Sequence, residues 1–378
     1  MDYVSYEVKL QSPLAGFPTT AIPAGGYGWT QTKGFFTPDN SEMPFYNIMD
    51  GFAQLFLGPY LANGKHLISH INNAIAIICK NQIVHVHINA PLLIRALPKT
   101  PVNAGEPVPY GNLADINEFR IHNVDIPHDV GVMFYFQVDW RQAFFLDLEP
   151  IQPDGEKRKK PFEKELAKYW AILSYPDVFQ LTTDDYKKLS ELAWFPFIAL
   201  NKRVFKELVS CIKNSFDPKP AIDKLIASID ESTLTLIEKR FENSAFLKTE
   251  VDFLRDAISC YKSKKYRLCI SALVPRIEGA IRKLFAGRDD KITSRNMVRV
   301  LVEYVRTKHP YSTLFLPNEF GAYLADFYFR NFNIDPNDKD DSISRHTHAH
   351  GVSDGEAYTQ EKALIYLLIF DQIAYYTM

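Results

Sequence analysis

The chain has 378 residues, a formal net charge of −2 and 46% hydrophobic residues. That length and apolar content suffice for buried cores in two or three domains. The near-neutral charge excludes a protein that coats nucleic acid by bulk electrostatics, so any such contact has to be local. Cys79, Cys211, Cys260 and Cys269 form no C-x-x-C pair. The first residues, Met1 to Glu7, show neither the basic region nor the apolar core of a signal peptide. The cysteines are therefore expected as reduced thiols in a cytoplasmic protein. The most apolar run, from about Ala357 to Tyr376, carries Glu361, Lys362 and Asp371, so no membrane span is expected.

Residues 1–155 are dense in turn punctuation: Pro23-Ala24-Gly25-Gly26, Thr37-Pro38-Asp39-Asn40, Asn63-Gly64 and the stretch from Pro98 to Gly111. Between these marks, Ile83–Ile88 places a branched residue at every second position, and 130–138 and 144–146 read as neighbouring buried strands. A β-rich or α+β N-terminal domain is predicted. A charged, proline-bracketed stretch follows, from Pro150 to Pro161 with the basic run Lys157 to Lys160. It reads as a solvent-exposed linker.

From Phe162 onward helical periods dominate. Helices are predicted at 162–171, 183–193, 201–214, 221–229 and 233–241, so that 162–243 forms a helical connecting region. Trp194-Phe195-Pro196-Phe197 reads as core packing at a helix junction. The last part, 244–378, reads as an all-α bundle with helices at 249–263, 267–285, 294–308, 318–331 and about 357–376. The fold class is thus α+β, with a helical bundle at the C-terminal end.

Two features of that bundle carry chemistry. Along 267–285 the apolar stripe is Ile270, Leu273, Val274, Ile277, Ile281 and Leu284, and Glu278 falls on or beside it. A buried carboxylate needs a partner. Arg282, one turn on, is one candidate; a guanidinium from a neighbouring helix, Arg345, is another. The second feature is Arg345-His346-Thr347-His348-Ala349-His350-Gly351, which precedes the start signals Gly351, Ser353, Asp354 and Glu356 of the last helix. Such an end favours an anion. Three readings compete: a metal site using His346 and His350, for which no third ligand of matching spacing is visible; histidines that merely cap and pack; and a phosphodiester site, with Arg345 on the phosphate and His350 as general acid or base.

Arg345-His346-x-x-x-His350 resembles the R-x4-H signature of the HEPN superfamily, the higher eukaryotes and prokaryotes nucleotide-binding domains. The stretch from Tyr266 to Arg282 is similar to the second helix of HEPN proteins found in abortive-infection and anti-phage systems. The resemblance covers about 130 C-terminal residues. It implies a bundle that dimerises so that two motifs face each other. It also implies metal-independent endoribonuclease activity, in which the ribose 2′-OH attacks the adjacent phosphate to leave a 2′,3′-cyclic phosphate and a 5′-OH. Carried over, Arg345 stabilises the phosphorane, His350 is the general acid or base, and His346 orients water or phosphate; to these the residue pattern adds Glu278 as the anchor of Arg345. His348 matches no family role. Lys264, Lys265, Arg267, Arg276 and Arg282 would then track RNA. No metal and no cofactor are expected, and the partners are RNA and a second copy of the chain. The alternative is a non-catalytic HEPN scaffold that binds nucleotide, nucleic acid or a partner protein.

Overall fold

A computed structural model describes residues 2–62, 68–200, 202–244, 246–289, 291–330 and 357–378. The chain has the α+β organisation expected, with antiparallel sheet in its first part and helices thereafter. It forms two compact units: residues 1–95 with 116–176, and residues 96–115 with 177–378.

The strands are β1 (Val4–Lys9), β2 (Phe17–Pro18), β3 (Thr30–Gln31), β4 (Lys33–Phe36), β5 (Asn73–Ile78), β6 (Ile83–Ile88), β7 (Leu92–Pro98), β8 (Leu113–Ile121), β9 (Gly131–Val138) and β10 (Arg141–Asp147). Six of them form the sheet of the first unit, in the order β1-β6-β5-β9-β10-β4, with every neighbouring pair antiparallel. Helix α1 (Pro38–Phe52) packs against β4 and β10. The helix Phe162–Ser174 packs against β9 and β10. Successive side chains of a strand point to opposite faces. Phe144 accordingly meets Phe52 of α1, with ring centroids 5.3 Å apart. Phe145 meets Phe162 and Tyr169, at 5.5 and 5.1 Å. A sheet covered on both faces reads as a continuous apolar run rather than as alternation, which is why β5, buried throughout, carries no period-2 signal.

Two expectations for this unit are corrected. Thr37-Pro38-Asp39-Asn40 opens α1 and is not a turn. Proline is well suited to the first helical turn, where its missing N–H costs nothing, and Asp39 faces the positive end of the helix. The 150–161 stretch is not a free solvated linker. Lys157, Lys159 and Lys160 are exposed, but Arg158 is buried. Its Nε donates to Asp147 Oδ2 at 2.7 Å, and its terminal nitrogens donate to the carbonyls of Pro127 and Val130 at 3.3 and 3.1 Å. A buried guanidinium with its carboxylate and two carbonyls met fastens the segment to the sheet.

With Phe162–Ser174 as α3, and with short α2 (Gly58–Leu61) and α4 (Pro176–Phe179) before and after it, the second unit carries α5 (Thr183–Glu191), α6 (Lys202–Lys213), α7 (Lys219–Ala227), α8 (Glu231–Asn243), α9 (Val251–Lys262), α10 (Tyr266–Arg282), α11 (Ser294–Lys308), α12 (Pro317–Tyr323) and α13 (Gln360–Thr377). Local sequence explains several starts. Thr182 and Asp185 form a capping box, and Asp230, Thr293 and Thr359 accept backbone N–H bonds at the heads of α8, α11 and α13. Gly287, at φ +77°, follows the last turn after α10, where a left-handed residue stops a helix. The stretches 177–243 and 244–378 belong to one compact unit, and 162–176 goes with the sheet.

Helix α13 is the centre of that unit. From Ala363 to Thr377 every residue is buried. Two adjacent polar residues of the helix are bonded to other elements. Gln372 accepts from Ile198 N at 3.0 Å and donates to the Phe315 carbonyl and Tyr376 Oη, at 3.3 and 3.0 Å. Asp371 accepts from Arg240 Nε at 2.6 Å, and the Arg240 guanidinium lies 4.8 Å from the Tyr375 ring centroid. The apolar circumference of α13 is thus used up by the chain's own packing. No helix among the described residues is long and apolar enough to cross a membrane.

Removing one member of a buried ion pair strands a charge, whereas replacing both with apolar groups removes the desolvation cost as well. Arg240→Met is expected to lower the unfolding free energy by about 3–5 kcal/mol, and Arg240→Met with Asp371→Leu to recover most of the loss. Urea denaturation followed by circular dichroism checks both.

Candidate functional site

Arg345, His346, His348 and His350, with the expected start signals Gly351, Ser353, Asp354 and Glu356, lie outside the described residues. The flanking elements are described. Upstream, α12 runs into a π-helical turn, Leu324–Tyr328. Downstream, α13 begins at Gln360 with Thr359 as its N-cap. Glu361 in its first turn accepts from the Trp194 indole at 2.7 Å, so that end of the helix is held by the aromatic turn read as core packing.

Glu278 is on α10, which packs against α9, α11 and α13. It lies within the apolar stripe as expected and is buried. Tyr328 Oη donates to the Val274 carbonyl at 2.6 Å, one turn before Glu278. Arg282 Nε donates to Glu278 Oε1 at 2.8 Å, and Arg282 Nη2 reaches the same oxygen. The i,i+4 pair expected as one of two partners is therefore present. The other, Arg345, is outside the described residues. The pair is asymmetric: the Glu278 side chain is 12% exposed and that of Arg282 50%. Its solvated member weakens the pair as a source of stability.

The five basic residues expected to follow RNA are all exposed, and they do not form one stripe. Lys264, Lys265 and Arg267 sit together at the turn into α10, where Lys264 adopts φ +59°. The Arg267 guanidinium lies 5.6 Å from the Tyr358 ring centroid. At about 100° per residue, Arg276 is on the opposite side of the helix from Arg267. There it pairs with Glu250 at 3.0 Å and lies over Phe253. Arg282 is about 22 Å along the axis from Arg267 and is engaged by Glu278. The junction formed by Lys264, Lys265 and Arg267 has no ion pair among the described residues.

One polar cluster escaped the sequence reading. Asp371 was used only to exclude a membrane span, yet a carboxylate in mid-helix between Phe370 and Gln372 signals a buried cation elsewhere in the chain. Arg240, at the end of α8, is that cation. Lys99 is near it, its Nζ donating to the Leu200 carbonyl at 2.8 Å. Burial pushes the Lys99 amine down to about 8, with repulsion from Arg240 adding to it and attraction from Asp371 opposing it. Burial pushes the Asp371 carboxyl up, against the pull of Arg240 and Lys99. Among the described residues, no three His, Cys, Asp or Glu side chains are grouped to hold a metal. The four cysteines are free thiols. That of Cys269 is buried and pushed up to about 12, too high for a nucleophile at neutral pH.

A lysine whose folded pKa lies below its ordinary 10.5 binds fewer protons folded than unfolded between the two values. Stability therefore rises with pH across that window. Relative to Lys99→Met, the wild-type chain is expected to gain unfolding free energy from about pH 8 to about pH 10. Denaturation of both proteins at the two pH values tests this, and a constant difference would contradict it.

Comparisons with protein-family models, with curated proteins and with solved structures find no match for this chain.

Proposed function

We propose that the chain is a metal-independent endoribonuclease of the HEPN type, acting as a homodimer and serving in anti-phage defence or as a toxin. The observation that carries this reading is the arginine-to-histidine spacing of Arg345 and His350, in the stretch of sequence between α12 and α13. The burial of Glu278 on α10 adds to it, because a carboxylate in that position can fix a guanidinium for bidentate contact with phosphate.

The chemistry asks for three things. The ribose 2′-OH must lose a proton, the departing 5′-oxygen must gain one, and the charge on the phosphorane must be offset. His350 has an intrinsic pKa near neutrality and serves either proton transfer. Arg345 offsets the phosphorane charge, and His346 orients water or phosphate. A single motif supplies one arginine with one or two histidines. Two motifs across a two-fold axis supply an acid and a base from one short segment, in an isologous contact. RNA enters by way of Lys264, Lys265 and Arg267, with Arg276 and Arg282 as flanking charges.

The test is cleavage of total RNA by the purified chain in the presence of EDTA. Wild type is expected to cleave and to leave 2′,3′-cyclic phosphate ends. Arg345→Ala and His350→Ala are each expected to lose about two orders of magnitude or more in rate, the scale of a lost general acid–base or oxyanion group. Equal cleavage by all three proteins would overturn the reading. So would activity that disappears with EDTA and returns with zinc. Light scattering should give a dimer, and mixing the two inactive variants should restore part of the activity. A monomer that still cleaves would remove the composite site.

A further inference from the structure

Within the second unit, the loop between β7 and β8 and one face of α8 line an open cavity of about 530 Å³. This is inside the range of about 300–1,000 Å³ in which small-molecule sites fall. Lys99, Thr100 and Asn112 form one wall, and Thr233, Leu236 and Arg240 the other. The last three stand three and four positions apart, as one helical face requires.

The walls present donors. Arg240 is 8% exposed and uses Nε on Asp371. Its two terminal nitrogens have no hydrogen-bond partner among the described residues. Lys99 spends one N–H on Leu200 and keeps two. Asn112 Oδ1 accepts from the backbone N and the hydroxyl of Thr100, at 3.0 and 2.9 Å. That fixes its amide orientation and leaves Nδ2 as a donor. The charges do not cancel: Lys99 and Arg240 face one buried carboxylate, Asp371. Glu106, also at the rim, is an exposed carboxylate held by Asn103 at 2.9 Å. Guanidinium and ammonium donors brought together out of bulk water favour an anion strongly.

We propose that this cavity binds a small organic anion, a phosphate monoester or a carboxylate, whose charged head lies between Lys99 and Arg240 and accepts from Asn112. The apolar part of the wall, with Leu236 and the prolines of the 99–112 loop, then receives the remainder of the ligand. The site is built from residues other than the R-x4-H motif, and its existence does not depend on the nuclease reading.

The experiment is isothermal titration calorimetry on the full chain with ribose 5-phosphate, ribonate and ribose. These three probes share size and hydroxyls and differ in the head group. Binding of ribose 5-phosphate or ribonate, with none of ribose, is expected, and the tighter of the two identifies the head group. Because Arg240→Met also strands Asp371, the informative variants are at the loop. Lys99→Gln is expected to weaken binding about tenfold or more, the effect of one charge-assisted hydrogen bond. Lys99→Arg should retain it, and Asn112→Asp, which puts a second negative charge at the head, should abolish it. No heat from either anion at millimolar concentration, equal binding of ribose, or unchanged affinity in Lys99→Gln would each overturn the proposal. RNA cleavage measured on the same variants separates this site from the proposed nuclease, since loss of anion binding with cleavage retained leaves that reading untouched.

Discussion

The buried ion pair between Arg240 and Asp371 governs the second unit. A helix buried all round needs little specification to be apolar, but apolar side chains alone leave its rotation and register loosely determined. One carboxylate in that helix changes the problem. Asp371 is 1% exposed, and its charge is tolerable only where a cation and donors meet it. Arg240 from α8 supplies both, with Tyr375 beneath the guanidinium plane. Gln372, the next residue, then meets the backbone of Ile198 and Phe315. Two adjacent polar residues thus tie α13 to α8 and to two loops, and any rotation of the helix would leave all of these groups unpaired.

A similar device holds the first unit. Asp147 ends β10 and receives Arg158, with Lys33 at 3.6 Å. This recruits a highly charged segment into the fold. A basic run judged by composition alone is a solvated loop; one arginine of the four turned inward reverses that judgement. Arg158 is the single guanidinium of that run, and its fork of donors suits a buried carboxylate better than an ammonium does. Its carboxylate appears only in the fold: Asp147, at the end of β10, lies opposite Lys33 of β4 and also takes the Arg158 guanidinium, at 2.7 Å.

This sorts what was legible in the chain. Helices with a sustained 3.6 period were readable nearly to their ends: α11 occupies the 294–308 span expected, and α9 and α13 begin within a few residues of expectation, because caps and periodicity are local properties. Ile83–Ile88 was readable for the same reason. Strand β5 and helix α1 were not. A strand buried on both faces loses its alternation, and a helix that starts Thr-Pro-Asp-Asn shares its residue types with a turn. The proposed catalytic residues were legible because an arginine and a histidine five positions apart make a contiguous pattern. The cavity was not, since Lys99 and Arg240 are remote in sequence and become neighbours only through the fold.

The distribution of positive charge bears on how RNA would be held under the proposed function. A chain of net charge −2 gains little from long-range attraction, and salt at physiological strength screens what there is beyond about 8 Å. Neutralised cations contribute less still. Arg276 and Arg282 each already face a carboxylate, and releasing them to a phosphate exchanges one ion pair for another. Lys264, Lys265 and Arg267 have no such exchange to make among the described residues. Three phosphate contacts at one junction give a shallow dependence of affinity on salt, with a logarithmic slope of about −2 for a single strand. If the proposed function holds, a chain held to RNA so weakly in the ground state would spend its binding energy at the reacting phosphate, where an arginine and paired histidines would act on the phosphorane rather than on the bound strand.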